Sequence, residues 1–176
     1  MLKNIKVNLD EVESMLYFWQ ATSEKEKVGE QFLVDVSNMK GVSASYDEDF
    51  NKESVRKVLS AITNREILSS KTKKEGRFWN YNMWVMEDLE YTMSMVQPVK
   101  KLNLDFLIDE LKDIPSKFED LEVRFSPLAT DEYIVKENSL IINFFKVKPG
   151  DYDDNTYIGD VEIKEYIKNK IIEIIK

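Results

Sequence analysis

The 176-residue sequence contains no cysteine and no histidine. Their joint absence excludes disulfides, thiolate nucleophiles, thiolate or imidazole metal sites, Ser-His-Asp relays and the usual pH switch. Any metal held by side chains would be a hard cation on oxygen ligands, and any proton transfer would fall to Asp, Glu, Lys or Tyr. Long apolar runs are missing too. The N-terminal MLKNIKVNLDEVE meets acidic residues before an apolar run of signal-peptide length develops, and no other segment reaches bilayer-spanning length. The sequence therefore predicts a soluble, cytoplasmic protein with no membrane partner. There is no Gly-rich phosphate loop and no Walker sequence. An excess of basic charge is also lacking. Net charge is −8, with 16 basic and 20 acidic groups in residues 1–115 and 9 and 13 in residues 116–176. Neither part has the footprint of a nucleic-acid domain.

What is present is an aromatic and methionine-rich stretch, Phe78 to Val96, with two tryptophans, two tyrosines, a phenylalanine and four methionines. On a helical wheel it is apolar around most of its circumference, with Asn80, Glu87, Glu90 and Ser94 forming one narrow polar stripe. It is predicted as the central helix of a soluble core, with Trp79 and Trp84 both largely buried.

The rest of the chain arranges itself around that stretch. Asn8 is positioned to cap a helix from Leu9, with Val12, Leu16 and Trp19 at helical spacing, ending near Gln20. Ser23 and Glu26 form a Ser-x-x-Glu box for a second helix that Gly41 would stop. Residues 42–50 read as a loop, and Asn51 caps a third helix carrying Val55, Val58, Leu59 and Ile62. A polar connector from Arg65 to Arg77 follows. After the central helix, Pro98 marks a terminus, and Asn103 caps a short helix before Pro115.

Beyond residue 115 the apolar period shortens to two. Leu121, Val123 and Phe125 alternate with Glu122 and Arg124, the pattern of a half-buried strand. Tyr133–Lys136 and Leu140–Val147 flank Glu137, Asn138 and Ser139, a hairpin in which Asn supplies the positive φ. The second arm is apolar on both faces, as an inner strand requires. Asp160 is placed to cap a last helix with Ile163, Ile167, Ile171 and Ile174 on its core face. The expected architecture is α+β in a single domain, residues 1–176. About five helices form an N-terminal bundle over 1–115, followed by a small antiparallel β-meander and a C-terminal helix over 116–176 that share its core.

Three constellations could carry chemistry. Residues 151–162, DYDDNTYIGDVE, resemble an EF-hand calcium loop: Asp151, Asp153 and Asn155 fall at positions one, three and five, Tyr157 at seven and Glu162 at twelve. Thr156 occupies the position where the sharp turn calls for Gly, and no entering helix precedes it, so a solvated turn and helix cap account for the same carboxylates. Glu87 and Glu90, with Glu110 and Asp113, could converge on Mg²⁺ if their helices were antiparallel, as in an all-helical nucleotide pyrophosphohydrolase; a solvated polar stripe has the same spacing. Lys71, Lys73, Lys74 and Arg77, followed by Phe78, Trp79 and Tyr81, have the basic-then-aromatic order of a single-strand binder, but in an acidic chain nucleic acid is not the expected partner.

No catalytic set stands out. The sequence is read as a non-enzymatic intracellular protein that binds another protein, a basic one by charge complementarity, as small acidic inhibitor or immunity-type proteins do. No cofactor is expected apart from Ca²⁺ at the 151–162 loop. The alternative is a Mg²⁺-dependent nucleotide phosphohydrolase using the four helix carboxylates.

Overall fold

The structure, a computed structural model, describes residues 1–69 and 71–176; Ser70, in the polar connector, lies outside the described residues. Among the described residues the chain is α+β, with eight helices and two small sheets. Strand β1 (Asn4–Asn8) is followed by α1 (Asp10–Ser23), α2 (Glu30–Ser37), α3 (Lys40–Ala44), α4 (Lys52–Thr63), α5 (Lys73–Glu87), α6 (Leu89–Lys100) and α7 (Phe106–Glu110). Strands β2 (Asp120–Ser126), β3 (Tyr133–Lys136) and β4 (Ser139–Asn143) come next. A single 3₁₀ turn at Phe144–Lys146 then leads into β5 (Val147–Pro149), β6 (Thr156–Ile158), β7 (Val161–Glu162) and α8 (Ile163–Ile175).

The larger sheet departs from the expected meander. Its order is β1-β2-β4-β3, with β1, β2 and β4 parallel and only β3 antiparallel to β4. The reason lies in β4, whose five residues are all buried. A strand buried on both faces belongs to the interior of a covered sheet, and β4 lies between β2 and β3, leaving β3 at the edge. In the β3–β4 turn the residue with positive φ is Glu137, at +55°, rather than Asn138. Asn138 instead uses its side-chain amide to donate to the Asp120 carbonyl at 3.0 Å. The other edge is β1, a strand not anticipated from the sequence. Ile5 and Val7 alternate with Lys6, and pair in register with Leu121 and Val123. Five residues are too short for that alternation to stand out beside a strong helical pattern.

Helix boundaries moved where polar residues found other partners. Asn8 ends β1, and its side chain accepts from the Asp10 N–H at 2.9 Å, a local turn preceding α1. Helix α1 runs on through Ser23, whose hydroxyl donates back to the Gln20 carbonyl, so the expected Ser23–Glu26 box does not form. Gly41 lies within α3 rather than ending α2. A Cβ there would meet Ser126 Oγ at 1.8 Å, so glycine is required by close approach to β2. Asn51 does cap α4, in a reciprocal box with Ser54. Pro98 falls inside the last turn of α6 instead of ending it. The last helix is capped by Glu162, which accepts from the Lys164 and Glu165 N–H groups, and not by Asp160.

The largest correction concerns the central helix, which is two helices. Thr72 and Glu75 form a reciprocal capping box that starts α5 at Lys73, within the polar connector. Asp88, at φ −141° and ψ 80°, ends it. Its carboxylate accepts from the Tyr91 N–H at 3.0 Å and so caps α6, while the Thr92 hydroxyl reaches back to the Val85 carbonyl at 2.8 Å. A charged residue inside an apolar run can take this role because a free carboxylate competes for the N–H groups a new helix leaves unpaired.

One cluster of buried residues extends from Leu2 to Ile175 and includes side chains from both sheets and from the helices. Its largest fully buried members are Trp19, Phe18, Phe50, Phe78, Phe125 and Phe144. Trp19 stacks on Phe144 with ring centroids 5.9 Å apart, joining α1 to the turn after β4. No helix of the described residues is long and apolar enough to cross a membrane.

Candidate functional site

The 151–162 segment is a β-hairpin connection rather than a helix-flanked loop. Asp151, Asp153 and Asn155 lie in the turn between β5 and β6, Tyr157 lies in β6, and Glu162 sits opposite Tyr157 in β7. Asp153 accepts from the Asn155 N–H at 2.9 Å and from the Tyr157 hydroxyl at 2.6 Å. Glu162 is turned to the N-terminus of α8. Thr156 is buried and paired with Pro149, so strand pairing replaces the turn a calcium loop makes there. Among the described residues no three acidic side chains gather as a metal-holding group.

The helix carboxylates are likewise dispersed. Glu87, Glu90, Glu110 and Asp113 are all exposed, on α5, on α6, on α7 and just beyond α7, and Glu110 is paired with Lys168 of α8 at 3.3 Å. In the basic stretch, Lys74 is paired with Asp47. The aromatics that follow turn inward. Phe78 is fully buried, and Tyr81 stacks on Phe145 and accepts from Lys146 Nζ at 2.8 Å. The Lys146 hydrogen bond holds the Tyr81 hydroxyl below its ordinary pKa, outweighing the opposing effect of burial.

A buried polar cluster joins α1, α3 and β2. Glu11, in the first turn of α1, accepts from the Gly41 and Val42 N–H groups at 2.9 and 3.2 Å and from Arg124 at 2.9 Å. Arg124 also forks onto Glu122, whose carboxylate meets Lys40, Asn8 and Ser139. Burial alone would push the Glu122 carboxyl up. The Arg124 hydrogen bonds and charge, with Lys40 and Asn8, prevail and hold it below the usual carboxylate range. Every charge in this cluster is answered within it, which suits a structural tie between helix and sheet.

The α5–α6 corner has the opposite character. Trp84, expected to be buried, is 46% exposed, and Tyr91 is 38% exposed. Their rings meet edge to face at 5.6 Å and 72°. The break at Asp88 is the cause: had α5 continued, Trp84 and Tyr91 would be separate positions along one enclosed rod, whereas the turn leaves them against each other on the surface. Glu87, Asp88 and Glu90 lie between the two in sequence, all exposed, and none makes an ion pair among the described residues. The signal in the sequence was the triplet of acids inside the most apolar stretch, of which Glu87 and Glu90 are read there as part of a narrow polar stripe and Asp88 stands apart from it. Two part-exposed aromatic rings on a corner that also carries Glu87, Glu90 and the capping Asp88, none of them ion-paired among the described residues, can hold a cation by cation–π and ionic contacts together. Compared with known proteins, the chain matches no family model, no curated protein and no solved structure.

Proposed function

We propose that this chain is a non-enzymatic binding protein that docks a basic segment of a protein partner on the α5–α6 corner. The observation that carries this reading is the exposed Trp84–Tyr91 pair on a corner whose three acids, Glu87, Asp88 and Glu90, make no ion pair among the described residues. Tryptophan and tyrosine dominate protein interfaces, and a Lys or Arg side chain over such rings gains about 0.5–2 kcal/mol, more as water is excluded. The chain's net charge of −8 adds long-range steering toward a basic surface. An acidic inhibitor or immunity-type role inside the cell fits this chemistry.

The test is a titration with an arginine-rich peptide carrying interspersed leucines, followed through the Trp84 indole N–H signal. Saturable movement of that signal, weakened by salt and at least tenfold weaker in Trp84→Ala, supports the reading. Equal binding of an acidic peptide of the same length, or a Trp84 signal that does not move, overturns it.

A further inference from the structure

Strand β3 forms one edge of the larger sheet. The Asn143 N–H donates to the Glu132 carbonyl at 3.0 Å, and in the same register Ile134 and Lys136 stand opposite Ile141 and Ser139. In an antiparallel ladder every second residue exchanges backbone hydrogen bonds with its neighbour, so Glu132, Ile134 and Lys136 turn these groups toward β4. Tyr133 and Val135 turn their N–H and C=O groups the other way, to the open edge, where no strand pairs with them among the described residues. Their side chains share one face of the strand, and those of Ile134 and Lys136 share the other.

One antiparallel pairing of this edge with itself uses all of these groups. A two-fold axis between the two Ile134 residues sets Tyr133 of each copy against Val135 of the other, and each such pair exchanges the backbone bonds that the edge leaves open. It also lays an aromatic ring across Val135, 47% exposed in the single chain, a favourable cross-strand combination. Tyr133 is braced for this by Tyr166, edge to face at 6.3 Å and 82°, and by Lys170 Nζ, 4.2 Å from its ring centroid. The same axis puts Glu132 opposite Lys136 of the second copy at both ends of the pairing. Neither makes an ion pair among the described residues, and Glu132 is held by the Tyr166 hydroxyl, which donates to one carboxylate oxygen at 2.7 Å. Glu137, at φ +55°, starts the turn to β4 and leaves the ladder before it would meet Asp131. The opposite edge, β1, carries Lys6 and no acid to answer it, which guards that edge against the same pairing.

We infer that the β3 edge is a self-association surface on which a second copy of this chain docks, β3 antiparallel to β3, joining the two larger sheets into one. Charge complementarity names the occupant: an acid precedes the strand and a lysine ends it, so the edge complements itself when reversed. Each copy's net charge of −8 opposes the encounter, which keeps the association weak and dependent on concentration. No residue of the α5–α6 corner takes part.

The experiment is sedimentation velocity over a series of protein concentrations, with amide exchange read residue by residue at both ends of the series. A monomer–dimer equilibrium is expected. As the dimer forms, exchange at the Tyr133 and Val135 amides should slow, while the Ile134 amide, bonded to β4 throughout, keeps its rate. Lys136→Glu sets acid opposite acid, and Glu132→Lys sets lysine opposite lysine; each alone should weaken self-association by about tenfold. An equimolar mixture of the two variants should associate as tightly as the wild type, because every opposed pair is again of opposite sign, and that recovery also shows both variants to be folded. A wild type that stays monomeric overturns the inference, whether or not an added extended peptide slows the two amides. So does a dimer that both variants leave intact, or a mixture that associates no more tightly than its components.

Discussion

Trp19 Nε1–H donates to Asn82 Oδ1 at 2.9 Å, and neither side chain touches solvent. Asn82 in turn donates to the Phe78 carbonyl one turn back on its own helix. The pair fastens α1 to α5 across 63 residues of sequence. It also explains why an amide is tolerated at the middle of the most apolar stretch: there it is the acceptor for the indole.

Replacing Asn82 with Leu should therefore destabilise the fold although it makes the core more apolar. The indole N–H would remain buried with no acceptor, a loss of about 1–3 kcal/mol. Denaturant unfolding followed by far-ultraviolet circular dichroism would measure it; a more stable Asn82→Leu variant would contradict the role given to this bond.

Asp88→Ala removes the cap of α6 and should lower stability by about 0.5–2 kcal/mol. The same change should also loosen the Trp84–Tyr91 contact, since the corner sets the two rings against each other. A fall in thermal midpoint together with altered near-ultraviolet circular dichroism is the expected result.

Arg124→Met leaves Glu11 buried against two backbone N–H groups but without its counter-charge. Breaking a buried pair in this way costs about 3–5 kcal/mol. Adding Glu11→Gln should restore part of the loss, because the amide still accepts from a backbone N–H and carries no charge. Unfolding of the single and double variants in one denaturant series gives the coupling directly.

Stability should fall at both ends of the pH range, for separate reasons. Glu122 and Glu75 have folded pKa values below the ordinary 4.5: burial opposes this in each, but Arg124, Lys40 and Asn8 outweigh it at Glu122, and the Thr72 N–H, Ser54 and Lys57 outweigh it at Glu75. A depressed carboxyl stabilises the fold above its unfolded pKa. Their contribution is therefore present above about pH 4.5 and is lost as pH falls below it, since the unfolded chain takes up protons first. Tyr46 behaves oppositely: burial, then the nearby Glu11 charge, pushes its hydroxyl up to about 12 from 10. Its contribution is whole below pH 10 and disappears as pH rises toward 12. Thermal midpoints in matched buffers should trace both limbs, and Glu122→Gln should flatten the acid one.

Calorimetric titration of calcium should give at most weak heat, with a dissociation constant of about 10⁻⁴ to 10⁻³ M. Glu162→Ala should lower stability by about 1 kcal/mol through loss of the α8 cap whether or not calcium is present. Micromolar calcium binding abolished by that substitution would show that Asp151, Asp153, Asn155, Tyr157 and Glu162 rearrange around an ion.

The sequence was most legible where a single local interaction decides the outcome. Asn51 with its apolar stripe placed α4, and the alternation from Leu121 to Phe125 placed β2. Class was legible as well, because the change of period near residue 120 separates helix from strand. Strand order was not, since parallel pairing of β1 with β2 depends on contacts far apart in sequence. The α5–α6 break was hidden by a conflict of scales: apolar periodicity over nineteen residues argued for continuity, and one aspartate finding the Tyr91 N–H decided against it. The surface aromatic pair depended on that break.

The parallel pairing of β1 with β2 sets the order in which the molecule can form. Asn4 meets Asp120 across 116 residues, and every helix from α1 to α7 lies between them. Helices close local contacts within microseconds, whereas a strand pair of such separation must wait until the intervening chain has compacted. The β1 edge should then be the last part of the larger sheet to acquire protection from amide exchange during refolding, and until it docks, β2 exposes a hydrogen-bonding edge to any neighbouring chain.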